Sequence, residues 1–228
     1  MRTLAIDIGG TGLKATILDD KGKLLHERVR VPTPQPATPA AVLAALVKLV
    51  ATLGAFDRIS AGFPGVVVHG ETWSAPNLHK TWRHFPLAKQ LTAKLKKPAR
   101  VLNDAGVQGY GVIKGHGTEM VITLGTGMGC AIYVDGRYVP NIELAHHPLR
   151  KGKTYEEYIG MKALRRVGKK RWNKRVERVL DQIQPIFNPS HIYLGGGNAK
   201  KLHIKLPKNV SITDNVAGLL GGIALWRD

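Results

Sequence analysis

The chain has 228 residues and a hydrophobic content of 43%, enough for one large domain or two small ones around real cores; no apolar run is long enough to span a bilayer. One cysteine, Cys130, excludes an internal disulfide and a cysteine-based zinc cage. The net charge of +18 and pI near 10.2 favour a polyanionic partner: nucleic acid, an anionic membrane or inorganic polyphosphate.

The chain enters an apolar strand at once, without the charged and apolar regions of a signal peptide, so a cytoplasmic protein is expected. Residues 3–8, 13–18 and 24–31 read as strands, with a turn at Asp19-Asp20-Lys21-Gly22. A proline-rich connection, Pro32 to Pro39, leads to a helix over 40–53, with Val42, Leu46, Leu49 and Leu53 on one face. A strand over 57–62 enters Phe63-Pro64-Gly65. The apolar stretch 66–69 follows, then a helix over 87–95. The strand 100–102 delivers Asn103 and Asp104 at its end, just before another helix.

The pattern then restarts. Strands over 120–124, 129–134 and 138–139, with a turn at Asp135-Gly136, repeat the strand–turn–strand opening. Helices over 154–167 and 172–186 follow, then a strand over 191–194 that ends in Gly195-Gly196-Gly197. A strand over 210–213 and a small-residue helix over 215–226 close the chain. Strands followed by alternating helix and strand, twice over, indicate an α/β fold of two similar halves. The expected boundaries are 1–108 for an N-terminal lobe, completed by 215–228, and 109–214 for a C-terminal lobe.

Two phrases carry the chemistry. In Asp7-Ile-Gly9-Gly10-Thr11-Gly12 and in Leu124-Gly125-Thr126-Gly127 a strand runs into a glycine–threonine turn. Glycine lets backbone approach a ligand, and successive N–H groups can form an anion-binding concavity. Thr11 and Thr126 add hydroxyls. Asp7 is placed to hold Mg²⁺, directly or through water, since Mg²⁺ takes one or two carboxylates plus substrate phosphates. Neither turn is a Walker A loop or a Rossmann fingerprint. Two such turns half a chain apart imply phosphoryl transfer. Lys14 is either a further phosphate contact or a strand-surface charge.

Asp7-Ile-Gly-Gly-Thr11, Phe63-Pro-Gly65, Ala75-Pro-Asn-Leu78, Leu102-Asn-Asp-Ala105, Leu124-Gly-Thr-Gly127, Glu143-Leu-Ala-His146 and Leu194-Gly-Gly-Gly197 stand in one order. In this the sequence resembles the ROK family of sugar kinases, over most of its length. The resemblance implies a duplicated ribonuclease-H-like (actin-like ATPase) fold, two lobes around a central cleft. The stretches Val139–His146 and Arg150–Tyr155 are most similar to the family's polyphosphate glucokinases. Many members carry a cysteine-rich zinc motif after the Glu-x-x-His segment. Here that region, from His147 to Glu157, has no cysteine, so no structural zinc is expected.

The resemblance assigns Asp104 as the general base that takes the proton of a sugar 6-hydroxyl; the plainer role for it is a helix N-cap. Gly65, Asn77, Asn103, Glu143, His146 and Glu156 are the implied sugar contacts, with Glu157 the alternative to Glu156 and His147 without a role. Gly65 alternatively serves only as a turn after Pro64. Gly9, Gly10, Thr11, Gly12, Gly125, Thr126 and Gly127 would hold phosphates. Gly195, Gly196 and Gly197 resemble the loop that supports adenosine in ATP-using relatives.

The excess charge is concentrated in 150–178, which contains twelve Lys or Arg and three Glu. On a helix Arg165 and Lys169, and Arg166 and Lys170, stand at i, i+4 spacing, an unfavourable like-charge arrangement without a counter-anion. With Arg171 and Lys174 they form a candidate track for polyphosphate; a solvated helix face is the plainer reading. The expected function is transfer of a phosphoryl group from polyphosphate, with ATP open as a further donor, to glucose, with Mg²⁺ as cofactor. The alternatives are an ATP-dependent hexokinase of the same family acting on glucose, mannose or fructose, and, more distantly, a nucleic-acid-binding regulator. A homodimer is expected by resemblance; no membrane association is.

Overall fold

The computed structural model describes residues 1–76, 78–213 and 221–227. The chain divides into two compact units, Met1–Gly111 with Val216–Asp228, and Val112–Asn215.

The first unit is built on β1 (Thr3–Ile8), β2 (Gly12–Leu18), β3 (Val29–Pro32), β4 (Arg58–Phe63) and β7 (Ala99–Asn103), in the order β3-β2-β1-β4-β7. The β1–β2 and β2–β3 pairs are antiparallel, and β1–β4 and β4–β7 are parallel. A short hairpin, β5 (Val67–Val68) with β6 (Glu71–Thr72), lies between β4 and β7 in the chain. Leu4, Ile6 and Ile8 on β1 are fully or almost fully buried, as are Leu13, Ala15 and Ile17 on β2. The helix α1 (Pro39–Val50) starts where Thr38 accepts from the Ala41 N–H and Pro39 occupies the first turn, a position that proline tolerates because its missing N–H has no helical partner. Val42, Leu46 and Leu49 give it one apolar face, buried in this core. Trp82, fully buried, donates from its indole N–H to the Ala37 carbonyl at 2.7 Å and packs against Phe63 and Phe85. The helix α2 (Leu87–Leu95) precedes β7, and α3 (Asp104–Tyr110) follows it without a gap.

The second unit repeats this scheme. Its sheet joins β8 (Thr118–Leu124), β9 (Met128–Val134), β10 (Arg137–Val139), β13 (His191–Gly195) and β14 (Val210–Ile212), in the order β10-β9-β8-β13-β14. Again the two hairpin pairs are antiparallel and the two crossover pairs parallel. Asp135 and Gly136, with φ of 47° and 77°, close the β9–β10 hairpin, both central residues having the positive φ that a tight primed turn needs. The small hairpin β11 (Pro148–Arg150) and β12 (Lys153–Thr154) leads to α4 (Tyr155–Ile159) and α5 (Met161–Phe187). Trp172 on α5 is fully buried and donates to the Ile159 carbonyl at 2.6 Å, so its truncation to alanine would cost roughly 3–5 kcal/mol.

Several expectations change here. The strand expected over 24–31 begins only at Val29, with an isolated bridge from Leu24 to Leu18. The helix expected over 154–167 is interrupted at Gly160, and α5 breaks again at Gly168, whose φ of 73° and ψ of 161° are not helical. Arg165 and Arg166 therefore lie before that break, and Lys169 and Lys170 after it. The expected i, i+4 repulsion does not arise, because no continuous helix joins the pairs. The closing helix lies outside the described residues over 215–220; Gly221–Trp226 forms 3₁₀ turns.

Candidate active site

The first turn follows from strand pairing. The Gly9 N–H donates to the Gly12 carbonyl at 3.0 Å, and Thr33 donates to the Gly9 carbonyl at 2.6 Å. A Cβ on Gly9 would lie 2.9 Å from the Gly12 oxygen, and one on Gly12 would lie 2.7 Å from Nε of Arg30. Thr11 is exposed at the tip, with Gly10 half-buried beside it. Asp7 and Lys14 face each other across the β1–β2 ladder, and the Lys14 ammonium lies 2.7 Å from Oδ2 of Asp7. Both side chains are partly exposed. Among the described residues no group of three or more His, Cys, Asp or Glu could hold a metal. One partly exposed carboxylate with a second oxygen to offer fits Mg²⁺ carried chiefly by phosphate and water, and Lys14 is the cation such an ion would compete with.

Asn103 ends β7 and caps α3: its Oδ1 accepts from the N–H groups of Ala105 at 3.0 Å and Gly106 at 3.3 Å, and its Nδ2 donates to the Gly65 carbonyl at 3.2 Å. The cap is thus Asn103 rather than Asp104. Asp104 is the first helical residue, with Oδ1 accepting from Ala105 N–H at 2.7 Å, where a carboxylate is favoured by the unpaired N–H groups of the helix start. Gly62 on β4 lets α3 come close, since a Cβ there would sit 3.3 Å from Asp104 Cα. Gly65 has a reason beyond either expectation: a Cβ would fall on the Ser74 carbonyl oxygen, so backbone already packs there. Asn77 lies outside the described residues.

In the second unit the Gly125 N–H donates to the Gly127 carbonyl at 3.0 Å. Nothing stands within 4 Å of a Cβ on Gly125, whereas one on Gly127 would strike the Glu156 carboxylate. Glu156, from α4, accepts from the Met128 N–H at 3.2 Å. Glu157 is instead committed to a capping box: it accepts from Thr154 N–H at 2.9 Å, and Thr154 Oγ1 accepts from Glu157 N–H at 3.2 Å. Between the two candidates, Glu156 is the one that reaches the turn. Glu143 and His146 approach to 3.5 Å at a 3₁₀ turn. Burial pushes the Glu143 carboxyl up, His146 partly offsets this, and Glu156 raises it further. Two carboxylates and an imidazole thus share one patch beside the turn. Cys130, buried nearby, has its thiol pushed up to about 12 by burial and by Glu143, which leaves it inert. His147 is exposed, with its ring near Tyr155.

The triple glycine serves the same turn. Gly196 has a φ of 85°, and a Cβ there would come within 2.4–2.7 Å of the Leu124 backbone. Gly195 is buried beside Thr213, and Gly197 is exposed. Arg165, Arg166, Lys169, Lys170, Arg171 and Lys174 are all exposed. Two residues absent from the sequence reading emerge. Arg30 lies against Gly12, and Asn198, 2% exposed, donates to the Gly125 carbonyl at 2.8 Å. A polar residue directly after a glycine-rich strand end was the sole sequence signal for Asn198; for Arg30 there was none.

The family model described as the ROK family matches residues 3–140. The chain belongs to the ROK family. The polyphosphate glucokinase of Mycobacterium tuberculosis is 34% identical over 95% of this chain and 88% of its own. The crystal structure of inorganic polyphosphate/ATP-glucomannokinase from Arthrobacter sp. strain KM superposes with a TM-score of 0.89 at 37% identity, covering 99% of both chains. A ROK family glucokinase from Streptomyces griseus, solved with glucose and AMPPNP, has a TM-score of 0.79 at 22% identity over 99% of both chains and shares the fold. These likenesses identify the two units as the duplicated actin-like ATPase fold of ROK sugar kinases. No helix among the described residues is long and apolar enough to cross a membrane.

Proposed function

We propose that this protein is a kinase that transfers a phosphoryl group from inorganic polyphosphate to the 6-hydroxyl of glucose, giving glucose 6-phosphate. The observation that carries the reading is likeness along the whole chain to a polyphosphate glucokinase and to a polyphosphate/ATP-glucomannokinase. The latter name favours a second reading alongside the first, with ATP as a further donor and mannose as a further acceptor.

Phosphoryl transfer needs positioning and charge stabilisation more than covalent help. In this reading Asp104 accepts the 6-hydroxyl proton as the sugar oxygen bonds to the terminal phosphorus. The bond to the bridging oxygen breaks, and polyphosphate leaves one unit shorter. Asn77, Asn103, Glu143, His146 and Glu156 hold sugar hydroxyls, and Gly65 supplies backbone beside Asn103. Such a site discriminates because a missing hydroxyl leaves buried polar groups unpaired. The turns Gly9–Gly12 and Gly125–Gly127 present to phosphate the N–H groups not spent within them, and the loop Gly195–Gly197 supports the second turn and an adenosine where ATP is used. Mg²⁺, held by Asp7, would neutralise phosphate charge. The exposed cations Arg165, Arg166, Lys169, Lys170, Arg171 and Lys174 supply a field for a long polyanion, screened by salt. The reading also takes the protein to be a cytoplasmic homodimer.

The test is glucose 6-phosphate formation with Mg²⁺ and either long-chain polyphosphate or ATP over a salt series. Turnover with polyphosphate that weakens as salt rises is expected, with Asp104→Asn lowering kcat by about 10²–10⁴-fold. No turnover with polyphosphate at any salt would refute the donor; full turnover by Asp104→Asn would refute the base.

A further inference from the structure

The second glycine turn is held by one side chain and one backbone N–H that the proposed chemistry does not use. Two peptide planes define it. The Gly125 carbonyl accepts from Nδ2 of Asn198 at 2.8 Å, and the Thr126 carbonyl accepts from the Met161 N–H at 3.0 Å. A trans peptide is planar, with its C=O and N–H pointing in opposite directions. Anchoring these two carbonyls therefore turns the N–H groups of Thr126 and Gly127 away from the anchors. Neither N–H donates to another residue among those described, whereas the Gly125 N–H is spent on Gly127 and the Met128 N–H on Glu156. Two successive free N–H groups form an anion-binding concavity. Open space beside Gly125 gives an anion room to approach.

Asn198 is itself fixed. Its backbone N–H donates to the Leu124 carbonyl at 2.9 Å, and its Oδ1 accepts from the Lys201 ammonium at 3.0 Å. An ammonium can donate but not accept, so Lys201 permits only the amide orientation that presents NH₂ to Gly125. Lys201 is anchored in turn. Asn173, 5% exposed, donates to the carbonyls of Lys169 and Lys201 at 2.9 and 3.2 Å and accepts from the His203 N–H at 2.6 Å. Hydrogen bonds thus run from the first residue after the α5 break to the glycine turn.

We propose that Asn198 is a positioning residue for the phosphoryl donor, orienting the Gly125–Thr126 peptide, and that Lys201 sets the direction of its amide. This rests on the kinase reading for what the turn binds.

The full chain is assayed with its unaltered form first, and tripolyphosphate binding is measured by calorimetry alongside. Asn198→Ala should raise the donor KM about 3- to 10-fold, the worth of one neutral hydrogen bond, and leave the glucose KM within about twofold. Asn198→Asp keeps Lys201 but sets an acceptor against the Gly125 carbonyl, so it should be worse than Asn198→Ala. Lys201→Met, at a partly exposed position, should give a smaller donor effect that vanishes in the Asn198→Ala background. Tripolyphosphate affinity should follow the same order. An unchanged donor KM in Asn198→Ala, equal shifts in both KM values, or additivity of the two substitutions would overturn the proposal. If the unaltered chain turns over neither donor, the kinase reading fails, and tripolyphosphate affinity alone then decides the positioning role.

Discussion

Gly127 and Gly125 sit two residues apart in one turn, yet alanine should act oppositely at the two. A Cβ on Gly127 would meet Cδ of Glu156 at 2.6 Å and Cγ at 3.3 Å, with the carboxylate oxygen closer still. The obstacle is the far end of a flexible side chain, so the fold should survive while Glu156 swings out. That motion breaks the charge-assisted bond from the Met128 N–H, worth about 1.5–3 kcal/mol. If Glu156 binds the sugar only in its inward position, kcat/KM for glucose falls roughly 10- to 150-fold. Gly125→Ala meets no atom within 4 Å and should leave the glucose KM alone. The assay is initial rate against glucose at saturating donor for both variants, repeated in a Glu156→Ala background. There the obstruction is gone, and Gly127→Ala should add almost nothing. An undiminished penalty in that background, or an unchanged glucose KM for Gly127→Ala, would refute the reasoning.

Two carboxylates should give opposite pH signatures. Burial pushes Glu119 up, but the N–H groups of Lys114, Gly115 and His116 and the Tyr193 hydroxyl outweigh it and hold it below its ordinary value. Its stabilisation is full above the unfolded-state value near 4.3 and lost as pH falls through the folded value; Glu119→Gln should lose about 1–3 kcal/mol for each donor left unpaired, with a urea midpoint less dependent on acid pH than that of the unaltered chain. Glu143 is raised, so its contribution is full below the unfolded value and is lost as pH rises through the folded one. Glu143→Gln should therefore melt higher than the unaltered protein at pH 7 while phosphorylating glucose more slowly, and a lower melting temperature would count against the raised carboxyl.

The strands and turns were legible because each carries a local cause. Near-continuous apolar runs make the buried strands, Asp135-Gly136 takes the positive φ of a tight turn, and in the two glycine–threonine phrases Gly9, Gly12 and Gly127 stand where a Cβ would be crowded. The helix 87–95 is legible because Leu87, Leu91 and Leu95 stand at helical spacing and Pro98 bars its continuation; it ends at Lys96, which adopts left-handed backbone. The α5 break at Gly168 falls in the gap between the helices expected over 154–167 and 172–186. The interruption at Gly160 was not legible, because a glycine inside a helix costs only about 1 kcal/mol relative to alanine and looks tolerated whether or not the helix continues. Thr154-Tyr-Glu-Glu157 did carry a signal: a threonine followed three residues later by glutamate is a capping box, which would have removed Glu157 from the sugar candidates. Arg30 was illegible, and Asn198 carried only its place after a glycine-rich strand end, because both act through contacts with segments distant in the chain.

The duplication supplies backbone, not equivalent chemistry. Gly12 and Gly127 hold matching places, each third in a Gly-Thr-Gly phrase at the entry to the second strand of its sheet. Each is glycine because a side chain occupies the space a Cβ would need. That side chain is the Arg30 guanidinium in the first unit and the Glu156 carboxylate in the second. A cation there favours phosphate, while a carboxylate repels phosphate and accepts hydroxyl hydrogens. The first turn adds the Asp7–Lys14 pair, where a metal cation can replace an ammonium; the second adds Glu143 and Asn198. With Glu156 at its edge, the second turn can hold phosphate only through N–H groups that face away from that carboxylate. Those are the groups whose peptides Asn198 and Met161 orient. Both turns are anchored from outside, the first by the Thr33 hydroxyl on the Gly9 carbonyl and the second by the Asn198 amide and the Met161 N–H on the Gly125 and Thr126 carbonyls; in the second the anchoring must also aim N–H groups away from a carboxylate.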